Sequence, residues 1–294
     1  MKRLVARIRR VGVIANPEKP GATRLVRRVL TALRQAGRTV CADPDTVRLV
    51  GAGIDEASSV AALARHTDLL LVLGGDGTML RAAREVAGSR TPMLGINAGN
   101  LGFLTAVSPA RLAPSLKQLW KGEFTIEERS LLEGRISRAG ERSSLLALND
   151  FVVGRTLTSR LIELEVLVDG ELLTRYRCDG LIASSPTGST AYSLAAGGAI
   201  VSPDADVLTL TPICPHTLSI RPVVVSLDAT VEVRLVSTRQ MASLAADGQQ
   251  HVELSTGDGV SIRRSSRRVR LVRLAGTNFF STLRQKFGWS GSNV

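Results

Sequence analysis

Aromatic side chains make up only 3% of this 294-residue chain, so a core has to be assembled from Val, Leu, Ile and Ala rather than from packed rings. Cysteine is equally scarce. Cys41, Cys178 and Cys214 are widely spaced and odd in number, which argues against a disulfide framework and offers no zinc spacing. The three histidines, His66, His216 and His251, form no pair at metal-ligand spacing either. No apolar run reaches the roughly 20 residues of a membrane span. The basic, then apolar, start looks like a secretory leader only on the surface. Its apolar part is short and runs into Asn16-Pro17 without a small-residue cleavage pattern, so Val11–Ala15 reads as a first β-strand. Together these absences point to a cytoplasmic protein.

Apolar residues are plentiful at 44%, the fraction of a chain with a true core, and the net charge is +12. An excess of that size attracts polyanions, whether nucleic acid, anionic lipid or phosphorylated small molecules. Much of it lies between Lys2 and Arg34 and between Arg263 and Arg273. In the second stretch Arg268, Arg270 and Arg273 alternate with Val269, Leu271 and Leu274. That is the pattern of one exposed strand face, without the interleaved aromatics of a nucleic-acid surface. A solvated basic face is an equally good reading of the charge.

Up to residue 122 the pattern alternates between strand and helix. Leu25, Val26, Val29, Leu30 and Leu33 fall at helical spacing and Gly37 closes that helix. Thr39–Ala42 suits a second strand, and Val60–Ala64 belongs to a second helix. Leu69–Leu73 is a continuous apolar run of strand length that stops at Gly74, as expected for a strand buried on both faces. Met79–Ala87 returns to helical spacing, and Pro92–Ile96 is another buried strand. Ser108-Pro109 offers an N-cap followed by proline at the first helical position. Such alternation predicts a parallel, Rossmann-like sheet covered by helices. From Phe124 to Leu274 strand alternation dominates instead, with Asp169-Gly170 as a tight turn between Ile162–Val168 and Glu171–Tyr176. Thr230–Val236 and Ser261–Leu274 continue it, and only Ala191–Ala195 reads as helical. The expected architecture is an α/β domain (1–122), a β-rich, mainly antiparallel, sandwich-like domain (123–275), and a helical tail (276–294). The tail gathers Phe279, Phe280, Phe287 and Trp289 and is expected to dock back on the first domain.

Three segments carry chemistry. Leu73-Gly74-Gly75-Asp76-Gly77-Thr78 sits where a buried strand gives way to a helix, the corner at which parallel sheets bind ligands. Its glycines permit a sharp turn and close approach. The amides entering the helix suit phosphate or ribose oxygens, and Asp76 is a carboxylate able to take a proton from a sugar hydroxyl. A plain turn is the alternative. No lysine follows the last glycine, so this is not a Walker A loop; Gly95, Gly99 and Gly102 do not fit the G-x-G-x-x-G spacing. The second segment, Leu94–Leu104, contributes two asparagines and three glycines on the same sheet edge, and alone it is as consistent with a structural turn as with a site. The third, Asp179 to Ser193, packs a carboxylate, small residues and several hydroxyls around a strand-to-helix transition. Hydroxyls and amides there are able to read an adenine edge or a ribose.

These segments, with Leu148-Asn149-Asp150 between them, occur in the order seen in NAD kinases, and the chain resembles that family over nearly its whole length. Gly-Gly-Asp-Gly-Thr alone is shared with diacylglycerol-type lipid kinases and, loosely, with phosphofructokinases; the long Asp179–Tyr192 block is the more specific feature. The resemblance implies transfer of the terminal phosphoryl group of ATP, or of another donor such as polyphosphate, to the 2′-hydroxyl of the adenosine ribose of NAD, giving NADP. It makes Asp76 the catalytic carboxylate and puts Gly77 against the same NAD. Asn149 and Asp150 match an Asn-Glu pair contacting the adenosine part, with Asp150 one methylene shorter than the family's Glu. Asp179 matches a carboxylate near the nicotinamide end. Thr190, Ala191, Tyr192, Ser193, Leu194 and Ala195 match the adenine-binding turn, and Arg81, Arg160, Arg177 and Gln249 match positions that tend to face the dinucleotide or phosphates. It also implies Mg²⁺, or another divalent cation, arriving on the triphosphate, and a homodimer or homotetramer, with neither nucleic acid nor membrane as partner. A lipid kinase, or a dinucleotide sensor without catalysis, is the alternative activity.

Overall fold

The computed structural model describes residues 8–99, 102–138, 141–156, 161–217, 219–237 and 240–289. The chain divides into two compact units, one formed by Met1–Glu128 with Arg268–Val294, the other by Arg129–Arg267.

The first unit opens with alternating strands and helices: β1 (Arg10–Ala15), α1 (Ala22–Gln35), β2 (Thr39–Ala42), α2 (Pro44–Val50), β3 (Glu56–Ala57), α3 (Val60–His66), β4 (Leu69–Gly74), α4 (Asp76–Glu85), β5 (Met93–Asn97) and α5 (Leu112–Lys121). The strands pair in the order β5-β4-β1-β2-β3, all parallel. Every residue of β4 and β5 is buried, which explains their unbroken apolar runs. Val13, Leu71 and Leu94 meet Val26, Val29 and Leu33 of α1 and Leu116 and Leu119 of α5 in one core. Helix α2 lay outside the sequence expectation; Asp43 caps it, accepting from the Thr46 amide (3.2 Å), and Pro44 opens it. Ser108 does precede a proline-led turn, Pro109–Arg111, but its side chain makes no capping bond.

The chain then runs along β6 (Phe124–Arg138) into the second unit, which contains β7 (Glu141–Ala147), β8 (Asp150–Arg155), β9 (Ile162–Val168), β10 (Glu171–Cys178), β11 (Gly180–Ser184), the one-turn helix α6 (Tyr192–Ala195), β12 (Val207–Ile213), β13 (Val223–Ser226), β14 (Val231–Leu235), β15 (Ala242–Ala246), β16 (Gln250–Leu254) and most of β17 (Gly259–Leu274). One antiparallel sheet has the order β13-β12-β11-β8-β15-β16. In the other, β10, β9, β14 and β17 are neighbours and β6 flanks β17. Phe151, Leu181, Leu210 and Leu244 from the first sheet share a core with Leu164, Tyr176, Val233 and Ile262 from the second, the sandwich expected from strand alternation. The β9–β10 turn is tight as predicted, with Asp169 and Gly170 both in the left-handed region (φ 51° and 86°).

The end of β17 rejoins the first unit, Leu271 lying beside Met93 in parallel. Helix α7 (Phe279–Phe287) follows, with a capping box at Asn278 and Ser281. Its Phe279 and Phe287 rings lie 6.4 and 6.1 Å from the ring of Phe103, so the tail does pack on the α/β unit. The basic face of β17 is largely paired. Arg263 bonds Glu133 (2.9 Å), Arg264 bonds Asp206 (2.6 Å), Arg268 and Arg270 reach Glu128, and Arg273 reaches Glu127. Among the described residues no helix is long and apolar enough to cross a membrane.

Candidate active site

In the first unit β4 ends at Gly74, and Asp76 is the first residue of α4. Its carboxylate is half-buried and points into the loop after β5, where four donors meet it. The Phe103 amide donates to Oδ2 (2.8 Å); the Leu104 amide (3.1 Å), the Thr105 amide (3.2 Å) and the Thr105 hydroxyl (3.2 Å) donate to Oδ1. Gly102 makes this possible: a Cβ there would overlap the Asp76 carboxylate and come within 2.5 Å of Thr105 Oγ1. Two motifs that the sequence placed on one sheet edge are therefore one hydrogen-bonded unit. Gly77, next along, is exposed. Arg81, one turn further, is already engaged by carboxylates, 3.5 Å from Asp45 and 4.0 Å from Asp43. Burial raises the Asp43 carboxyl above its ordinary range, partly offset by its bonds to Thr46.

In the second unit Asn149 immediately precedes β8 and Asp150 begins it. The Asp247 carboxylate, in the turn between β15 and β16, accepts the amides of Leu148 (3.0 Å), Asn149 (2.7 Å) and Asp150 (3.3 Å), and the Asp247 amide donates to the Asp150 carbonyl (3.0 Å). From the other side the Ser185 amide donates to the Asn149 carbonyl (2.8 Å), and the Ser185 hydroxyl donates to the Leu148 carbonyl (2.6 Å). Gly188 lies flat against Asn149, where any Cβ would strike its backbone. Asp150 is 4% exposed. Burial first, and the Asp247 carboxylate second, push its carboxyl up to about 7.

The hydroxyl-rich block after β11 behaves differently from its sequence reading. Ser184, Ser185, Ser189 and Ser193 are fully buried. The Ser189 hydroxyl donates to the Pro186 carbonyl (2.7 Å), and the Ser193 hydroxyl pairs with that of Thr211 (2.9 Å). These hydroxyls hold the turn together; Thr190, Ala191 and Leu194 are half-buried, and Tyr192 and Ala195 are exposed. Gln249 is exposed in the Asp247 turn, so it shares a corner with Asn149 and Asp150. Asp179 sits elsewhere. Strands β8 and β11 align Ser184 with Asp150 and Gly180 with Gly154, so Asp179 and its partner Arg155 (2.7 Å) mark the opposite end of that pair, roughly 17 Å along at about 3.3 Å per residue. Arg177 is exposed on β10, its carbonyl accepting from the His216 amide (2.9 Å). Arg160 lies outside the described residues. Sequence reading had Asn97 within its second motif but missed Thr105 and Asp247, whose bonds to Asp76 and to the Leu148–Asp150 amides span 29 and 97 to 99 residues. Among the described residues no cluster of three His, Cys, Asp or Glu side chains is arranged to hold a metal.

A parallel sheet with a carboxylate at a strand-to-helix corner, in a chain that also carries a β-sandwich unit with its own polar corner, is the arrangement of a nucleotide-type phosphotransferase. The chain belongs to the NAD kinase family: residues 11–124 match the ATP-NAD kinase N-terminal domain and residues 148–274 the ATP-NAD kinase C-terminal domain. It is 42% identical to an NAD kinase of Moorella thermoacetica over 288 residues, covering 97% of this chain and 91% of that one. It is 43% identical to an NAD kinase of Heliobacterium modesticaldum over 277 residues, covering 94% and 97%. Among solved structures, yeast NADH kinase complexed with NADH superposes with a TM-score of 0.89 at 25% identity, over 98% of this chain and 89% of that one. An Archaeoglobus fulgidus NAD kinase in complex with ATP gives 0.74 at 28% identity, over 96% and 100%. The family implied by the Gly74–Thr78 and Asp179–Tyr192 motifs is the family matched, and the activity is phosphoryl transfer from ATP to NAD.

Proposed function

We propose that Asp76 is the base of this transfer. The ribose 2′-hydroxyl oxygen forms a bond to the terminal phosphorus of ATP as the bond from that phosphorus to the departing ADP breaks, and the hydroxyl proton passes to Asp76. Phosphoryl transfer has a loose transition state, so positioning and charge neutralisation supply most of the acceleration, and a placed base adds about 10²–10⁴-fold. The observation that carries this reading is the hold on Asp76: among the described residues three donors saturate Oδ1, while Oδ2 has one donor and keeps a lone pair.

In the same reading Asn149 and Asp150 contact the adenosine part of NAD, the turn from Thr190 to Ala195 borders the adenine, and Asp179 faces the nicotinamide end. The separation of Asp150 and Asp179 along β8 and β11 suits an extended dinucleotide. Gly77, Arg177, Gln249 and Arg160 belong to the dinucleotide contacts. Arg81, held by Asp43 and Asp45, would exchange those partners for phosphate oxygens. Mg²⁺ enters as part of the triphosphate substrate. A cytoplasmic location fits the three free cysteines. A homo-oligomer is supported by Leu172 and Leu173, both exposed on the edge strand β10.

Incubation of the full chain with NAD, ATP and Mg²⁺, followed by an enzymatic assay for NADP, tests the reading. Parallel reactions with NADH as acceptor and polyphosphate as donor define the substrates. NADP formation supports it. Phosphorylation of diacylglycerol in vesicles without NADP formation, or NAD binding without ATP consumption, overturns it.

A further inference from the structure

Thr105 is completely buried, yet its hydroxyl stands at the centre of a chain of polar groups ending on Asp76. The Asn97 side-chain amide, itself 2% exposed, donates to Thr105 Oγ1 at 2.8 Å, and Thr105 Oγ1 lies 3.2 Å from Asp76 Oδ1. The direction of each bond is fixed by chemistry. Asn97 Oδ1 accepts from the Gly99 amide, so the group facing Thr105 is the NH₂, which only donates. The Thr105 hydroxyl accepts from Asn97, and because an ionised carboxylate only accepts, the hydroxyl's single proton is the one that bridges to Asp76 Oδ1. Asn97 ends β5 opposite Gly74 in the parallel ladder, so the relay is anchored on the same pair of strands that launches α4.

We propose that Thr105 is the positioning residue for Asp76, with Asn97 setting the direction of its hydroxyl, and that together they reserve Oδ2 for the proton of the acceptor. This rests on the reading of Asp76 as base. The hydroxyl and the two amides at Oδ1 consume that oxygen's lone pairs, so the carboxylate cannot rotate to present Oδ1 to a substrate without breaking three bonds. Oδ2, held among the described residues by the Phe103 amide alone, is the oxygen with an acceptor site to spare. Thr105 touches no substrate in this scheme; it acts through Asp76.

The test compares Thr105→Val, which keeps the shape and removes the hydroxyl, with Thr105→Ser, which restores it. Thr105→Val is expected to lower kcat by about 10- to 100-fold, the scale on which misplacing a catalytic group acts. KM for NAD, and NAD affinity by calorimetry, should stay within about twofold. Thr105→Ser should recover kcat to within about threefold of the wild type, and adding Thr105→Val to Asp76→Asn should cause no further loss. Thr105→Ala replaces the valine variant if circular dichroism shows that the latter fails to fold. A kcat within twofold of wild type in the hydroxyl-free variant, a matching loss of NAD affinity, or an additive loss in the Asp76→Asn background overturns the proposal. High activity of Asp76→Asn by itself would instead remove the reading of Asp76 as base, so the two failures are distinguishable.

Discussion

Asp150 and Asp247 are two carboxylates held in one corner of the second unit, joined through the backbone of Asp150 rather than carboxyl to carboxyl. Asp247 accepts the Asp150 amide (3.3 Å) and donates its own amide to the Asp150 carbonyl (3.0 Å). Asp247 spends its charge on three amides, whereas Asp150 is buried beside it with its carboxyl raised to about 7. A group ionised in water near 3.8 is thus kept protonated by the fold over much of the range below neutrality.

The consequence for stability has a definite sign. Below about 4 both folded and unfolded chains carry a neutral Asp150. Between about 4 and 7 the unfolded chain loses that proton and the folded chain retains it, so the contribution of Asp150 to stability falls as pH rises and levels off above about 7. Asp150→Asn is neutral throughout. It is expected to raise the melting temperature at pH 8 by several degrees and to change it little at pH 4. Thermal denaturation of both proteins at the two pH values checks this, and a gain of equal size at both would remove the assigned cause.

Asp247→Ala strips the acceptor from three amides at once. Buried amides without partners cost about 1–3 kcal/mol each, tempered here because water can reach part of the corner. A loss of about 2–4 kcal/mol in denaturant unfolding is expected, with KM for NAD rising more than about tenfold as Asn149 and Asp150 lose their support. Asp247→Asn should fall between: Asn tolerates the left-handed backbone (φ 51°) but offers one acceptor oxygen instead of two.

Much of the fold was legible because its signals are local. Leu69–Leu73 ends at Gly74 in sequence and in space, and Asp169-Gly170 adopts the left-handed turn that such a pair permits. The site was legible only where its chemistry sits in one segment. Asp76 stood out by its glycines, but its donors lie 27 to 29 residues away and include a threonine with no motif of its own. Asp247 lies 97 to 99 residues from the amides that it holds; an Asp-Gly pair after a β-strand announces a turn and nothing more. The serines after β11 carried a structural role that their sequence does not announce. Their density suggested ligand contacts, whereas Ser185, Ser189 and Ser193 are buried and bond the Leu148 carbonyl, the Pro186 carbonyl and the Thr211 hydroxyl. The arginines of β17 read as an exposed face, and five of them also meet acidic partners there, Glu127, Glu128 and Glu133 of β6 and Asp206 before β12.

Gly102→Ala tests the fit of the loop against Asp76 by adding one methyl group. That carbon would overlap the carboxylate and press on Thr105 Oγ1, and neither neighbour can retreat while the donors stay in place. The expected result is a fall in kcat of at least about 100-fold, with the overall fold preserved by circular dichroism. Steady-state kinetics on the purified variant decide it; a kcat within threefold of wild type would mean that the carboxylate does not need this position.

Asp76→Asn separates binding from chemistry. The single oxygen of the asparagine will occupy the Oδ1 side, where three donors wait, which turns its NH₂ toward the Phe103 amide and the acceptor hydroxyl. A donor then stands where a proton acceptor is required, so turnover should fall by about 10²-fold or more. The loss should appear in kcat, because an interaction made only as the hydroxyl gives up its proton contributes nothing to the ground-state complex. NAD affinity, measured by calorimetry without ATP, should stay within a few-fold of wild type. A variant retaining more than about a tenth of the wild-type rate would leave the proton with water or with the phosphate itself and reduce Asp76 to a positioning group.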